Sequence, residues 1–445
     1  PVILKSSAGG GGIGMQIIRN PEELPSRFDA VRRLSEANFG DAGMFLEKYI
    51  ENARHIEVQV FGDGAGNVIS LGERDCSVQR RNQKVIEESP APGLTEEDRI
   101  RLSDAALKLT KSVNYRNAGT VEFLWDADAG EFYFLEINAR LQVEHGVTEE
   151  VTGVDLVEWM VLLAAGELGP LTELESTIQR NGHAIQARLY SEDPNKDYQP
   201  STGLITCFSV PDYVRCDTWV ESGTEVSMFY DPMVAKVIAH DTNRKDATRK
   251  LIRALKQMQC AGIETNRAYL RQILGSRAFL DGEVTTRFLS TFSYRPRTID
   301  VLDPGLECTV QDYPGRTGLW DVGVPPSGPY DGLSFRLGNR IVGNSSKAAG
   351  LEMTVRGGRF RFNTSTVICL TGADMQATLD GTPIACYQPV RASAGSVLKL
   401  SSVKGMGQRA YLLIRGGLSV PEYLGSRSTF RLGRFGGHGG RALQP

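Results

Sequence analysis

Pro1-Val-Ile-Leu-Lys5-Ser-Ser-Ala-Gly9-Gly-Gly-Gly12-Ile-Gly14-Met15-Gln-Ile-Ile18 sets a lysine at the end of an apolar strand and runs it straight into a glycine-rich loop. Clustered glycines let backbone N–H groups approach a polyphosphate closely, and Lys5 adds a point charge beside them. Gly9, Gly11 and Gly14 match G-x-G-x-x-G, a dinucleotide fingerprint that requires a helix directly after the glycines. Here Met15–Ile18 reads as a second short strand, followed by the turn Arg19-Asn20-Pro21. A helix starts only near Glu22, where Leu24, Phe28, Val31 and Leu34 recur at helical spacing. A Walker A loop is excluded as well, because no Gly-Lys-Ser/Thr follows. Strand, glycine loop, strand is a hairpin lid suited to closing over phosphates; the competing reading is a glycine-rich surface turn.

Outward from this hairpin, 445 residues suffice for about three domains of ~150 residues each. The chain is 41% hydrophobic with a formal charge of −3, an ordinary soluble composition with no nucleic-acid signature. No apolar run approaches ~18 residues, so no membrane span is expected. Cys76, Cys207, Cys216, Cys260, Cys308, Cys369 and Cys386 form no C-x-x-C pair. That dispersal suits a reducing cytosol, and the expected location is cytoplasmic. The chain opens on proline inside a strand and stops in the glycine-rich stretch Gly436–Gly440, so it is expected to be truncated at both ends.

The expected fold class is α+β and multidomain. Residues 1–170 form a first unit with a lid over about 1–45, and residues 171–292 a second with short strands and a helix through Leu251, Leu255 and Met258. Ser293-Tyr-Arg-Pro-Arg-Thr298 reads as a linker. From 299 to 445 glycine and proline become dense, and runs such as Thr366-Val-Ile-Cys-Leu370 and Arg409-Ala-Tyr-Leu-Leu-Ile414 predict a β-barrel or sandwich.

Thr120-Val-Glu122-Phe-Leu-Trp125 and Phe132-Tyr-Phe-Leu-Glu136-Ile-Asn138 flank the turn Asp126–Gly130 and predict a hairpin with Glu122 opposite Glu136. Opposed side chains are about 5 Å apart, where like charges destabilise. A hard cation shared by the carboxylates and a nucleotide's phosphates would offset the repulsion, as Mg²⁺ does with one or two carboxylates. Asn138 falls on the same face as a possible third oxygen ligand. The alternative is a solvent-facing hairpin with hydrated carboxylates.

Downstream, alternation predicts Arg140, Gln142 and Glu144 on one side. A cation, an amide and a carboxylate there suit a small oxyanion that must lose a proton, the arginine clamping it and the glutamate acting as base. A surface ion pair is the alternative. In Arg54-His-Ile-Glu-Val-Gln-Val-Phe61, Ile56, Val58 and Val60 are predicted to face the core, with His55, Glu57 and Gln59 opposite. Cys76-Ser-Val-Gln79-Arg-Arg-Asn-Gln-Lys84 gathers cations and amides suited to an anionic substrate or, alternatively, forms a solvated charged loop.

These segments together resemble the biotin carboxylase family of ATP-grasp enzymes. The resemblance covers about residues 1–292 and rests on KSSAGGGGIGM (5–15), EKYIENARHIEVQVFGD (47–63), ERDCSVQRRNQKVIEESPAP (73–92), AGTVEFL (118–124), FYFLEINARLQVEHGVTEEVTGVDLV (132–157) and GHAIQARLYSEDP (182–194). It implies an ATP-grasp domain followed by a biotin carboxylase C-terminal domain. The implied activity is activation of bicarbonate to carboxyphosphate at the expense of ATP, then carboxylation of biotin. By motif position, Lys5, Gly10, Gly11, Gly12, Gly14, His55 and Gln79 would contact ATP, and Glu47, Lys48 and Ile50 would line its adenine pocket. Glu122 and Glu136, helped by Asn138, would hold Mg²⁺ or Mn²⁺. Lys84, Arg140, Gln142 and Glu144 would orient bicarbonate, with Glu144 as base, and Arg188 would stabilise the biotin enolate. Ile13 and Asn82 depart from the family pattern, in which a basic residue and a histidine are common. The domain that normally precedes the glycine loop is absent, as is a Met-Lys-Met attachment site, so biotin is expected on a carrier domain outside this chain.

Residues from about 299 resemble the KipA-like (allophanate hydrolase subunit 2) family, through Asp303–Asp312, Gly315–Gly318, Gly323–Asp331 and Leu370–Asp374. That family's fold is a cyclophilin-like β-barrel, of which about half would be present. A biotin carboxylase joined to this module resembles the urea carboxylases, ligases that make allophanate from urea. The resemblance implies urea as substrate, a KipI-like half elsewhere in the protein and a possible homo-oligomer. The rivals are a 5-oxoprolinase-type enzyme acting on another amide or lactam, and a non-catalytic KipA-type regulator, which would not need Glu122, Glu136, Lys84 and Glu144 together.

Overall fold

The computed structural model describes residues 1–7, 15–40 and 43–445. Strands β1 (Val2–Ser6) and β2 (Met15–Ile18) pair antiparallel with Lys5 opposite Met15, so the expected hairpin forms. Gly10, Gly11, Gly12 and Gly14 lie outside the described residues. Helix α1 (Leu24–Phe39) follows a short 3-10 turn at Pro21–Glu23. Strand β3 (Met44–Lys48) pairs with the other edge of β1, so this small sheet runs three residues past the expected lid boundary at 45. Its core is Leu4, Ile18 and Val31. Phe28 and Leu34 share the helical spacing of Val31 yet stay exposed, because three short strands cover only one strip of the helix.

An eight-stranded, wholly antiparallel sheet carries the rest of residues 53–241. It contains β4 (Ala53–Asp63), β5 (Val68–Arg80), β6 (Gln83–Ser89), β7 (Arg116–Asp126), β8 (Glu131–Asn138) and β9 (His183–Tyr190). Arg215–Thr218 and Met233–Asp241 complete it, beyond β9. The β6–β9 ladder joins strands from both sides of residue 170, so one hydrogen-bonded sheet crosses that position.

Period-two alternation explains both faces of the sheet. Ile56, Val58 and Val60 pack with Leu102 and Ala106 of helix α2 (Glu96–Ser112). Thr95 and Asp98 close a capping box at the start of α2, and Glu96, Glu97 and Asp98 place negative charge at its N-terminus. The opposite face receives α3 (His145–Thr152), whose Val147 and Val151 meet Ala184 and Ile238. A Cβ on Gly146 would lie 2.4 Å from the Ile238 Cδ1, so any side chain there would force Ile238 to shift. The face holding His55, Glu57 and Gln59 is therefore buried too, beneath α3 and its preceding loop.

The C-terminal region builds two five-stranded sheets. Phe360 and Leu398 from one meet Met353, Leu370 and Leu412 from the other across a shared core. The polar residues of its motif-like turns hold local backbone. Asp331 caps the helix Gly332–Ile341, Asp374 accepts from the Gln376 N–H, and Asp312 accepts from Ser426, Arg427 and Ser428. Arg316 is buried and donates to the Tyr423 and Ser428 carbonyls.

Candidate active site

Four neighbouring strands place one charged residue each in a single cross-strand row. Arg74 on β5 pairs with Glu57 on β4, Glu57 with Glu122 on β7, and Glu122 with Glu136 on β8. The expected Glu122–Glu136 opposition is in register. Glu57 makes it a row of three carboxylates, which must be offset where side chains sit about 5 Å apart.

Lys84, projecting from β6, supplies the central offset. Its Nζ lies 2.7 Å from Glu57 Oε2, 3.0 Å from Glu122 Oε1 and 2.6 Å from Glu144 Oε1, which uses all three ammonium donors. Burial would lower its pKa, but Glu57, Cys76, Glu144 and Glu122 raise it far above the ordinary lysine value. On the far side of Glu144, Arg188 Nη2 reaches Oε2 at 2.9 Å while its Nε bonds Glu87. The buried Glu144 carboxylate thus lies between two cations, one on each oxygen.

His55 Nε2 is 3.1 Å from Glu122 Oε2 and 3.4 Å from Glu57 Oε2, and Gln79 Nε2 sits 3.1 Å from its Nδ1. Burial would lower the imidazole pKa; hydrogen bonds donated to Glu122 and Glu57 outweigh it and raise the value to about 9. Burial pushes Glu122 up, and His55 pulls it down to about 2, so this carboxylate is ionised throughout the working range.

The Asn138 Nδ2 donates to both Glu122 Oε1, at 3.0 Å, and Glu136 Oε1, at 3.1 Å. Gln142 Nε2 donates to Glu122 Oε1 at 2.9 Å. Two carboxylates and an amide oxygen, the latter available by rotating the Asn138 side chain, form a hard-oxygen donor set of the kind Mg²⁺ takes. His55, Glu57 and Glu122 also offer ligand atoms within 4.8 Å of one another.

Lys84, Gln142, Glu144, Arg188, Glu122, Glu136, Asn138, His55 and Gln79 therefore share one network. Arg140 stands at its edge: exposed, it reaches Asn138 Oδ1 at 3.5 Å. The expected alternation over Arg140, Gln142 and Glu144 does not occur. β8 ends at Asn138, and residues 139–144 run as coil and turn into α3, so Gln142 and Glu144 turn inward without a strand's period. Lys5 and Glu47 pair with each other across β1 and β3. Lys48 Nζ donates to the Tyr133 hydroxyl on β8 at 2.8 Å, and Ile50 is buried beside the lid strand. Glu87, Arg74 and Gln186 were not among the expected site residues. Glu57 was expected only as a member of the polar row. Its alternation with His55 was the one signal pointing to it.

Residues 1–173 match the family described as carbamoyl-phosphate synthase L chain, ATP binding domain. Residues 186–291 match the biotin carboxylase C-terminal domain, and residues 322–445 the carboxyltransferase domain, subdomain A and B. The urea amidolyase of Saccharomyces cerevisiae is 51% identical over 445 residues, all of this chain and 24% of that protein. The biotin carboxylase of Halalkalibacterium halodurans is 50% identical over 292 residues, 65% of this chain and 64% of its own. The crystal structure of the Kluyveromyces lactis urea carboxylase superposes with a TM-score of 0.82 at 51% identity, covering 88% of this chain and 34% of that one. The chain thus spans about a quarter of the length of the urea amidolyase it matches.

Proposed function

Because the chain is homologous along all 445 residues to a segment of the urea amidolyases and urea carboxylases, we propose that it is the bicarbonate-activating part of a biotin-dependent urea carboxylase. The protein would be a ligase that spends ATP to carboxylate biotin and then passes the carboxyl group to urea, giving allophanate. The observation that carries this reading is the Glu144 carboxylate held between Lys84 and Arg188 beside the Glu122–Glu136 pair.

Glu144 takes the proton of bicarbonate, and Lys84 and Arg188 hold the oxyanion so formed. Gln142 orients it from the Glu122 side and Arg140 from the exposed edge beside Asn138. Arg188 further steadies the negative charge on the ureido oxygen of biotin. Glu122, Glu136 and Asn138 hold Mg²⁺ or Mn²⁺. Lys5, Gly10, Gly11, Gly12, Gly14, His55 and Gln79 grip ATP, and Glu47, Lys48 and Ile50 line its adenine pocket. When bound, ATP would supply the phosphoryl group that activates bicarbonate, leaving ADP, and the metal would neutralise charge on its phosphates.

In this reading residues 1–170 are the ATP-grasp domain, 171–292 the biotin carboxylase C-terminal domain, 293–298 a linker and 299–445 a KipA-like carboxyltransferase domain. A biotin carrier domain and a KipI-like half act with it in the same protein, which works as a homo-oligomer in the cytoplasm. All seven cysteines are free, as a reducing compartment would keep them, and among the described residues no helix is long and apolar enough to cross a membrane.

The test is ADP release by the full-length protein in bicarbonate, with urea or 5-oxoproline added and avidin blocking biotin in a control. Stimulation by urea alone, abolished by avidin, is expected; stimulation by 5-oxoproline would redirect the assignment. Glu136→Gln tests the metal site. Glu136 is exposed, so folding should hold while the Mg²⁺ concentration for half-maximal activity rises about tenfold. An unchanged Mg²⁺ dependence would remove Glu136 from the metal site.

A further inference from the structure

Arg74 is the one cation of the cross-strand row, and it is fully buried in the middle of β5. A guanidinium has five N–H donors in a rigid fork. Here Nε donates to Glu57 Oε1 at 2.7 Å, Nη1 to Gln59 Oε1 at 2.6 Å and to Thr148 Oγ1 at 2.9 Å, and Nη2 to Thr120 Oγ1 at 3.1 Å. One side chain thereby ties β4, β7 and α3 together. Two of its partners bear on the reacting groups. Glu57 gives its other oxygen to Lys84, and Thr148 lies on the first turn of α3, the helix that Glu144 immediately precedes.

We infer that Arg74 is a positioning residue for bicarbonate activation, fixing Lys84 through Glu57 and Glu144 through Thr148, so that ammonium and carboxylate meet at their working separation. This inference rests on the function proposed above.

Lys84 shares one ammonium among Glu57, Glu122 and Glu144. With Arg74 on its other oxygen, Glu57 draws only part of that charge. Without Arg74, Glu57 keeps only the cations at its Oε2, Lys84 at 2.7 Å and His55 at 3.4 Å, and pulls the nearer ammonium toward the sheet, away from Glu144. Lysine cannot substitute, because a point charge on a flexible stem cannot satisfy acceptors on three elements at once. Thr120 and Gln59 keep the guanidinium plane from rotating, so its aim at Glu57 and Thr148 is set by the sheet itself. The ATP-contacting lid residues Lys5 and Glu47 form no part of this chain of contacts.

The test measures bicarbonate-dependent and ATP-dependent kinetics of ADP release, with thermal midpoints, for the full-length wild type, Arg74→Lys, Thr148→Val, Glu57→Gln and the Arg74→Lys/Glu57→Gln double variant. Arg74→Lys should lower kcat/KM for bicarbonate about 10–100-fold, with the KM for ATP within about threefold of wild type. On the Glu57→Gln background the same substitution should add less than about threefold, because the two residues act as a unit. Thr148→Val, which removes a single acceptor, should reduce kcat/KM for bicarbonate about threefold at an unchanged midpoint, and it keeps the idea testable should Arg74→Lys fail to fold. Unchanged bicarbonate kinetics in Thr148→Val, equal losses for ATP and bicarbonate in Arg74→Lys, or full additivity with Glu57→Gln would overturn the inference. A wild type without bicarbonate-dependent ADP release would overturn the functional reading itself, and this inference with it.

Discussion

Lys84→Met is expected to lower bicarbonate-dependent ATP cleavage about 10²–10³-fold and to destabilise the protein by about 3 kcal/mol. The kinetic loss follows from position. Among the described residues Lys84 is the only cation touching Glu57, Glu122 and Glu144 together, and in the proposed function its ammonium holds bicarbonate against the base. Removing one partner of a buried charged pair typically costs about 3–5 kcal/mol. The lower end applies because each carboxylate keeps another cation: Glu57 has Arg74, Glu122 has His55 and Glu144 has Arg188. Lys84→Arg separates the two effects. It restores charge and stability, but a planar fork cannot direct three donors toward three carboxylates around a point, so activity should stay low. Chemical denaturation alongside bicarbonate kinetics measures both. An active Lys84→Met would show that the ammonium has no part in handling bicarbonate.

Glu144→Gln should reduce kcat about 10²–10⁴-fold while the KM for ATP stays near wild type, the range expected when a positioned general base is lost. The amide is nearly isosteric, so α3 and its loop should keep their places. Its NH₂ group, however, must face either Lys84 or Arg188, donor against donor, because each Glu144 oxygen accepts from one of them. A modest loss of stability should accompany the loss of turnover. Parallel collapse of ATP binding and turnover would indicate a folding defect and leave the base unassigned, whereas full activity would exclude Glu144 as the base.

The parts of this site legible in the sequence are those governed by local geometry. The Asp126–Gly130 turn sets Glu122 against Glu136, and alternation separates Ile56, Val58 and Val60 from His55, Glu57 and Gln59. Parts set by distant pairing were not legible. Arg74 and Glu87 carried no local signal, because Glu87 meets Arg188 through the ladder joining β6 to β9, about a hundred positions apart, and Arg74 meets Thr148 on α3, 74 positions on. The same distance hid the burial of the polar face, which depends on α3 folding back over it. Arg140, Gln142 and Glu144 defeated alternation because β8 stops at Asn138, where the chain turns toward α3. Phe28 and Leu34 carried a helical stripe without a core to receive it, since a periodic pattern reports a face and not what covers that face.

The departure at Asn82 lies outside this charge network. Asn82 sits at the tip of the β5–β6 hairpin with φ of 65°, a left-handed conformation that asparagine tolerates better than most residues. Its place in the turn is therefore conformational, two residues from the lysine that the hairpin presents.

The most direct measurement is the rate of ADP release by the full-length protein, with ATP and Mg²⁺ saturating, as bicarbonate is raised from a degassed, bicarbonate-free start. A saturable rise that depends on bicarbonate, and that Glu144→Gln abolishes, is the expected result. ADP release at the same rate with and without bicarbonate would contradict the assignment of Lys84, Glu144 and Arg188 to bicarbonate activation.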